Sequence, residues 1–156
     1  INRGHNLGQD VIYSGTVAAA MEATLLKIAA AAFSLDPDGK DYRPAAAFAQ
    51  RLARQILSKG LPKGVCLNVN FPAIAAKAYT AGMPASLGRR IYGTTLTRRR
   101  DPRGLEYYWL GGRQVSGIDE PGTDVAAVSR GKVSVTPLKI DSTDTDMLKS
   151  LSSWHL

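Results

Sequence analysis

Ile1-Asn2-Arg3-Gly4-His5-Asn6-Leu7-Gly8-Gln9-Asp10-Val11-Ile12-Tyr13-Ser14-Gly15-Thr16-Val17-Ala18-Ala19-Ala20 is the stretch on which the reading of this chain turns. Asn2, Gly4, Asn6 and Gly8 make a polar loop, and apolar and aromatic positions then lead into Ser14-Gly15-Thr16, which opens an alanine-rich helix. Glycine lets a backbone approach a ligand closely. The free N–H groups and the positive dipole end of a helix favour phosphate. Ser14 also suits an ordinary N-cap. A cap has no use for the glycine-asparagine loop before it, whereas an anion cradle does.

Working outward, residues 14–27 read as a helix, because Val17, Met21 and Leu25 recur every four positions. Residues 28–35 read as a short buried strand, and Asp36-Pro37-Asp38-Gly39-Lys40-Asp41 is turn chemistry. A second helix is expected from Arg43 to Lys59. Pro44 suits its first turn, Gly60 its end, and Phe48, Leu52 and Ile56 its apolar stripe. Val65 to Phe71 alternates apolar residues with Cys66, Asn68 and Asn70, a strand signal. Helix, strand, helix, strand in this order predicts a layered α/β domain on a largely parallel sheet. Further on, Asp101-Pro102-Arg103-Gly104 is a turn between a β-rich patch and Glu106 to Leu110, which predicts a protruding β-hairpin over about 86–113. Residues 132–140 read as a last strand disturbed at Pro137, and residues 144–153 as a terminal helix.

The chain has 156 residues, 44% hydrophobic and 21% charged, which suits one soluble globular domain. No apolar run approaches a membrane span and no signal peptide is visible. Cys66 is the only cysteine, which excludes an internal disulfide and fits a reducing cytoplasm. The net charge of +7 points to acidic partners, and Arg89, Arg90, Arg98, Arg99, Arg100, Arg103 and Arg113 cluster against only Asp101 and Glu106. That cluster reads as a solvated face, a nucleotide or polyphosphate attractor, or a nucleic-acid surface. No nucleic-acid motif accompanies it, so steering of anionic substrate and links to a neighbouring subunit are favoured.

The opening stretch resembles the survival protein SurE family of metal-dependent 5'/3'-nucleotidases, from Ile1 to Val17. Leu67-Asn68-Val69-Asn70-Phe71-Pro72, Asp101-Pro102-Arg103-Gly104, Tyr107-Tyr108-Trp109, Gly122 to Val128 and Gly131 to Leu138 are similar to the same family in the same order. The resemblance implies a three-layer, Rossmann-like fold with a mostly parallel sheet. The family's Asn-Asp-Asp-Gly metal motif is not in this sequence. The chain is therefore expected to be the C-terminal part of a single SurE-like phosphatase domain, residues 1–156, with the N-terminal half of the fold elsewhere and little activity alone.

By that resemblance Asn2 ligates the divalent cation, Mn²⁺ or Mg²⁺. An amide oxygen is a suitable hard ligand, although an asparagine here also suits a plain loop turn. Asn6, Ser14, Gly15 and Thr16 would line the phosphate site, with Asn2 and Asn6 as the catalytic pair. His5 is not assigned a catalytic role, and His155 is expected to be exposed. Asp124 reads as a loop residue fixing its own backbone rather than an active-site carboxylate. Tyr107, Tyr108 and Trp109 fit packing against a neighbouring subunit better than stacking on a nucleobase. The expected activity is hydrolysis of nucleoside 5'- or 3'-monophosphates by a homodimer or homotetramer. The alternatives are a polyanion- or RNA-binding module built on the arginine hairpin, or a non-catalytic assembly remnant.

Overall fold

Alternation along Val65 to Phe71 builds the central strand of a five-stranded sheet, and both faces of that sheet are covered. The computed structural model describes residues 1–73, 79–93, 95–110 and 116–155. In chain order the elements are β1 (Asn2–Arg3), a 3-10 helix (Gly8–Tyr13), α1 (Gly15–Leu25), β2 (Ala31–Leu35), α2 (Arg43–Lys59), β3 (Val65–Phe71), β4 (Gly82–Pro84), β5 (Arg90–Ile91), β6 (Leu96–Arg100), β7 (Glu106–Leu110), β8 (Ser116–Gly117), α3 (Asp124–Ser129), β9 (Val133–Lys139) and α4 (Thr145–Leu151). The main sheet has the order β1-β2-β3-β9-β4. Its pairs are parallel except β3–β9, which is antiparallel. The fold is α/β as the element order predicts, and the single antiparallel pairing is what periodicity alone does not reveal.

Odd-numbered residues of β2, β3 and β9 point to one face. There Phe71 is fully buried among Phe33, Phe48 of α2 and Tyr79, with ring centroids 6.3, 5.4 and 5.0 Å away. Leu35, Val69, Val133 and Ala45 complete this dry core. Pro44 lies in the first turn of α2, and Gly60, at φ +74°, caps its end. The opposite face meets α1 and α3. Its lower part is apolar, with Ala32, Cys66 and Leu138 against Val11, Val17 and Ala20.

Several expectations shift. Residues 8–13 are a 3-10 helix rather than loop, and α1 ends at Leu25, which is exposed instead of completing the buried stripe. β2 begins only at Ala31, because the chain first turns through Lys27 at φ +63°. The β6–β7 ribbon pairs Leu96 with Leu110 through Arg100 with Glu106, while Arg90 and Ile91 pair separately with residues of β8. The part of the expected hairpin at 111–113, Arg113 included, lies outside the described residues. No helix among the described residues is long and apolar enough to cross a membrane.

Candidate functional site

Ligand sites in open α/β sheets form beyond the carboxyl ends of parallel strands. At that edge here, β1 runs into Gly4-His5-Asn6, β2 into Asp36 and β3 into Pro72. Asn2, at the end of β1, donates from Nδ2 to the Gly4 carbonyl at 2.9 Å and so holds a turn in which Gly4 sits at φ +104°. Its Oδ1 accepts no hydrogen bond among the described residues and remains available as a hard oxygen ligand.

Asn6 is turned inward. Its N–H donates to Asn70 Oδ1 at 2.8 Å, and its carbonyl accepts from Asn68 Nδ2 at 2.8 Å and Asn70 Nδ2 at 3.1 Å. The Asn6 side chain donates one Nδ2 hydrogen to Ser34 Oγ at 2.6 Å, which leaves the second as all it can offer an oxyanion. Alternation marks Asn68 and Asn70 only as the polar side of a strand. Both are in fact wholly buried, because their partner is a loop more than sixty residues earlier in the chain.

Ser14 caps α1, with Oγ accepting from the Val17 N–H at 3.1 Å. Gly15 and Thr16 present N–H groups with no partner among the described residues, the unpaired donors that begin any helix. Thr16 and Asn2 line one cavity of about 490 Å³, floored by Ala19, Ala20 and Ala23 of α1. Asn6, Ser14 and Gly15 do not line it, and its remaining wall is Ile1 and residues 28–33.

A second cavity, about 390 Å³, lies between His5, Asp36, Arg90 and α3. His5 is mostly buried, and its Nε2 donates to the Phe71 carbonyl at 3.0 Å, since a carbonyl can only accept. Burial lowers the His5 pKa below its ordinary value of 6.5, against the raising effects of the Phe71 hydrogen bond and of Asp36, whose Oδ2 is 3.6 Å away. Burial prevails, and the ring is neutral at pH 7. Arg90 is not part of one arginine cluster as expected. Its guanidinium bonds Asp10 of the 3-10 helix, which also accepts from the Tyr92 hydroxyl. Arg98 and Arg100 share Glu106, whose carboxyl they hold below the usual range.

Asp124 does more than its local sequence reading assigns to it. It is the first residue of α3, wholly buried, and accepts from the N–H groups of Gly8 at 2.9 Å, Gly88 at 2.7 Å and Val125 at 2.8 Å. It fixes its own backbone, as expected, but also fastens two distant loops. Gly8 sits at φ +55° with no room for a Cβ against the Gly88 carbonyl. His155 is exposed, as are Tyr107, Tyr108 and Trp109 on the β6–β7 ribbon.

A model of the family described as "Survival protein SurE" matches residues 1–94 of the chain. The chain belongs to the SurE family. It is 49% identical over 158 aligned positions to a protein named 5'-nucleotidase SurE from Geobacter sulfurreducens, covering all of this chain and 60% of that protein. It is 48% identical to the 5'-nucleotidase SurE of Symbiobacterium thermophilum, covering 61% of that protein. The crystal structure of the SurE protein from Aquifex aeolicus superposes with a TM-score of 0.76 at 34% identity, over 97% of this chain and 62% of the other. The chain thus spans about three fifths of the length of the curated relatives it matches.

Proposed function

We propose that this chain forms part of a phosphatase for nucleoside 5'- or 3'-monophosphates. The observation that carries the reading is that Asn2 and Thr16 line one cavity, which runs from the first turn of α1 past Ala23 to residues 28–33. The relatives' name, 5'-nucleotidase, supplies the substrate class. In this reading the Gly15 and Thr16 N–H groups and the Thr16 hydroxyl hold the phosphoryl oxygens, and they gain most when negative charge builds on those oxygens during transfer. Ser14 contributes by capping: it keeps the first turn of α1 open and its donors aimed outward. Asn6, turned inward and outside that cavity, contributes by shaping the loop that leads to α1.

Asn2 is inferred to give one neutral oxygen to a divalent ion, Mn²⁺ or Mg²⁺, which when bound would polarise the phosphoryl group. The described residues gather no group of three His, Cys, Asp or Glu side chains. One amide alone does not make a metal site, so Asn2 is at most one ligand of several. The exposed strip Leu96, Tyr107, Tyr108, Trp109 and Leu110 supports assembly as a homodimer or homotetramer through the ribbon. Cytoplasmic residence rests on the lone, buried Cys66 thiol. The RNA-binding alternative has less support, because Arg90, Arg98 and Arg100 are already engaged by Asp10 and Glu106.

The test uses a chain of the relatives' full length that carries these residues. It should release phosphate from nucleoside monophosphates, stop when divalent ions are chelated, and recover when Mn²⁺ or Mg²⁺ is restored. Thr16→Val should raise KM and lower affinity for vanadate. Turnover that survives chelation removes the role of Asn2, and unaltered vanadate affinity removes the cradle.

A further inference from the structure

We propose that Asn68 and Asn70 are positioning residues, which hold the Asn2–Asn6 turn in the shape that presents the ligands of the site. The proposal rests on the phosphatase reading above and names residues that act behind it. β1 is two residues long and is paired, among the described residues, only with β2. So short a ladder fixes the turn that follows it weakly. The turn is held instead from β3: both backbone polar groups of Asn6 end on the side chains of Asn68 and Asn70. Two residues further on, the Gly8 N–H ends on Asp124.

The composition of that sheet face supports the assignment independently. Ser34, Asn68, Asn70, Ser134 and Thr136 lie side by side across β2, β3 and β9, each essentially without solvent exposure. Three of their oxygens, Asn68 Oδ1, Ser134 Oγ and Thr136 Oγ1, have no hydrogen-bond partner among the described residues. Burying such groups opposes folding, and apolar residues of similar size would be as good or better for stability alone. The other face of the same strands is apolar throughout its core. Departures from the stable choice gather at functional sites, and here the departure lies directly beneath the Asn6 turn.

The experiment compares Asn68→Leu and Asn70→Leu with Thr136→Val on the same buried face, in a chain of the relatives' full length. The asparagine variants should lose about tenfold or more in kcat, as a misplaced reactive group does, with KM changed far less. Amide exchange at residues 4–8 should accelerate in these two variants alone, and Thr136→Val should keep the parent kcat. If kcat in all three merely follows the loss of Tm, or the asparagine variants keep the parent kcat, the proposal is overturned. Should Asn70→Leu fail to fold, Asn68→Leu decides by the same criteria, because it leaves the Asn6–Asn70 bonds in place. A parent chain without nucleotidase activity would refute the phosphatase reading instead. Amide exchange then judges the positioning role by itself, and unchanged exchange at residues 4–8 overturns it.

Discussion

The two faces of the central sheet are made from alternate residues of the same strands, yet they are built to opposite rules. Towards α2, Phe33, Phe71, Val69 and Val133 meet Phe48 and Tyr79 in an aromatic and aliphatic core. Towards α1 and α3, only the lower half is apolar, and the half nearest the strand ends is a buried set of amides and hydroxyls. The α2 face supplies stability through area removed from water. The other face gives up part of that gain and in return grips a loop through directional hydrogen bonds, which fix geometry as apolar contact cannot. Division of labour between two sides of one sheet is the design principle of this domain.

The largest effect that tests this comparison should come from Phe71→Ala. Losing the ring at the centre of the dry face should cost about 3–5 kcal/mol in urea unfolding. If the faces are separable, activity per folded molecule should change little. An activity loss far beyond the folded fraction would show that the two faces are coupled.

Next is Asp124→Asn, which keeps one acceptor and turns the other into a donor facing an N–H group. The expected loss is about 1–3 kcal/mol, with faster amide exchange at Gly8 and Gly88. Exchange unchanged at both glycines would remove Asp124 as the fastener of those loops. Thr136→Val should lie within about 1 kcal/mol of the parent, since the hydroxyl it removes has no partner among the described residues. A larger loss would mean that the hydroxyl makes a bond of consequence, and the contrast between the faces would weaken.

The smallest effect concerns His5, whose imidazole is buried at the edge of the site. Its pKa is lowered in the folded state, chiefly by burial, so the unfolded chain binds more protons in the interval below 6.5. The contribution of His5 to stability is therefore complete above pH 6.5 and is lost as pH falls through the lowered value. Unfolding measured in steps from about pH 7.5 to about pH 4.5, a span that brackets the ordinary histidine pKa, should show this decline in the parent and a shallower one in His5→Gln. Equal slopes would show that the ring is not held neutral.

What was legible in the sequence follows from how local each signal is. Pro44 and Gly60 bracket α2 because both act within one turn of themselves. Ser14 caps α1 for the same reason. The alternation of β3 is correct to the residue, but its meaning was not. A polar residue in a strand reads as facing water unless its partner is known, and the partner of Asn68 and Asn70 is a loop remote in sequence. Only half of the role of Asp124 is local: the Val125 N–H is its neighbour in sequence, whereas Gly8 and Gly88 are not. α3 carries no helical period in the sequence, because residues 124–128 are all buried and leave no polar face to show one. Arginines that cluster along the chain need not share a surface, and Arg90 bonds an aspartate eighty residues upstream.

Gln9, in the 3-10 helix that also carries Asp10, guards the free edge of β5. Its carboxamide donates to the Arg90 carbonyl at 2.6 Å and accepts from the Arg90 N–H at 2.9 Å, engaging both main-chain groups that β5 turns away from β8. A side chain thereby occupies the place where a further strand would add. The small ribbon is sealed on that flank against recruiting a foreign peptide, a safeguard that edge strands otherwise obtain from charge, proline or a bulge.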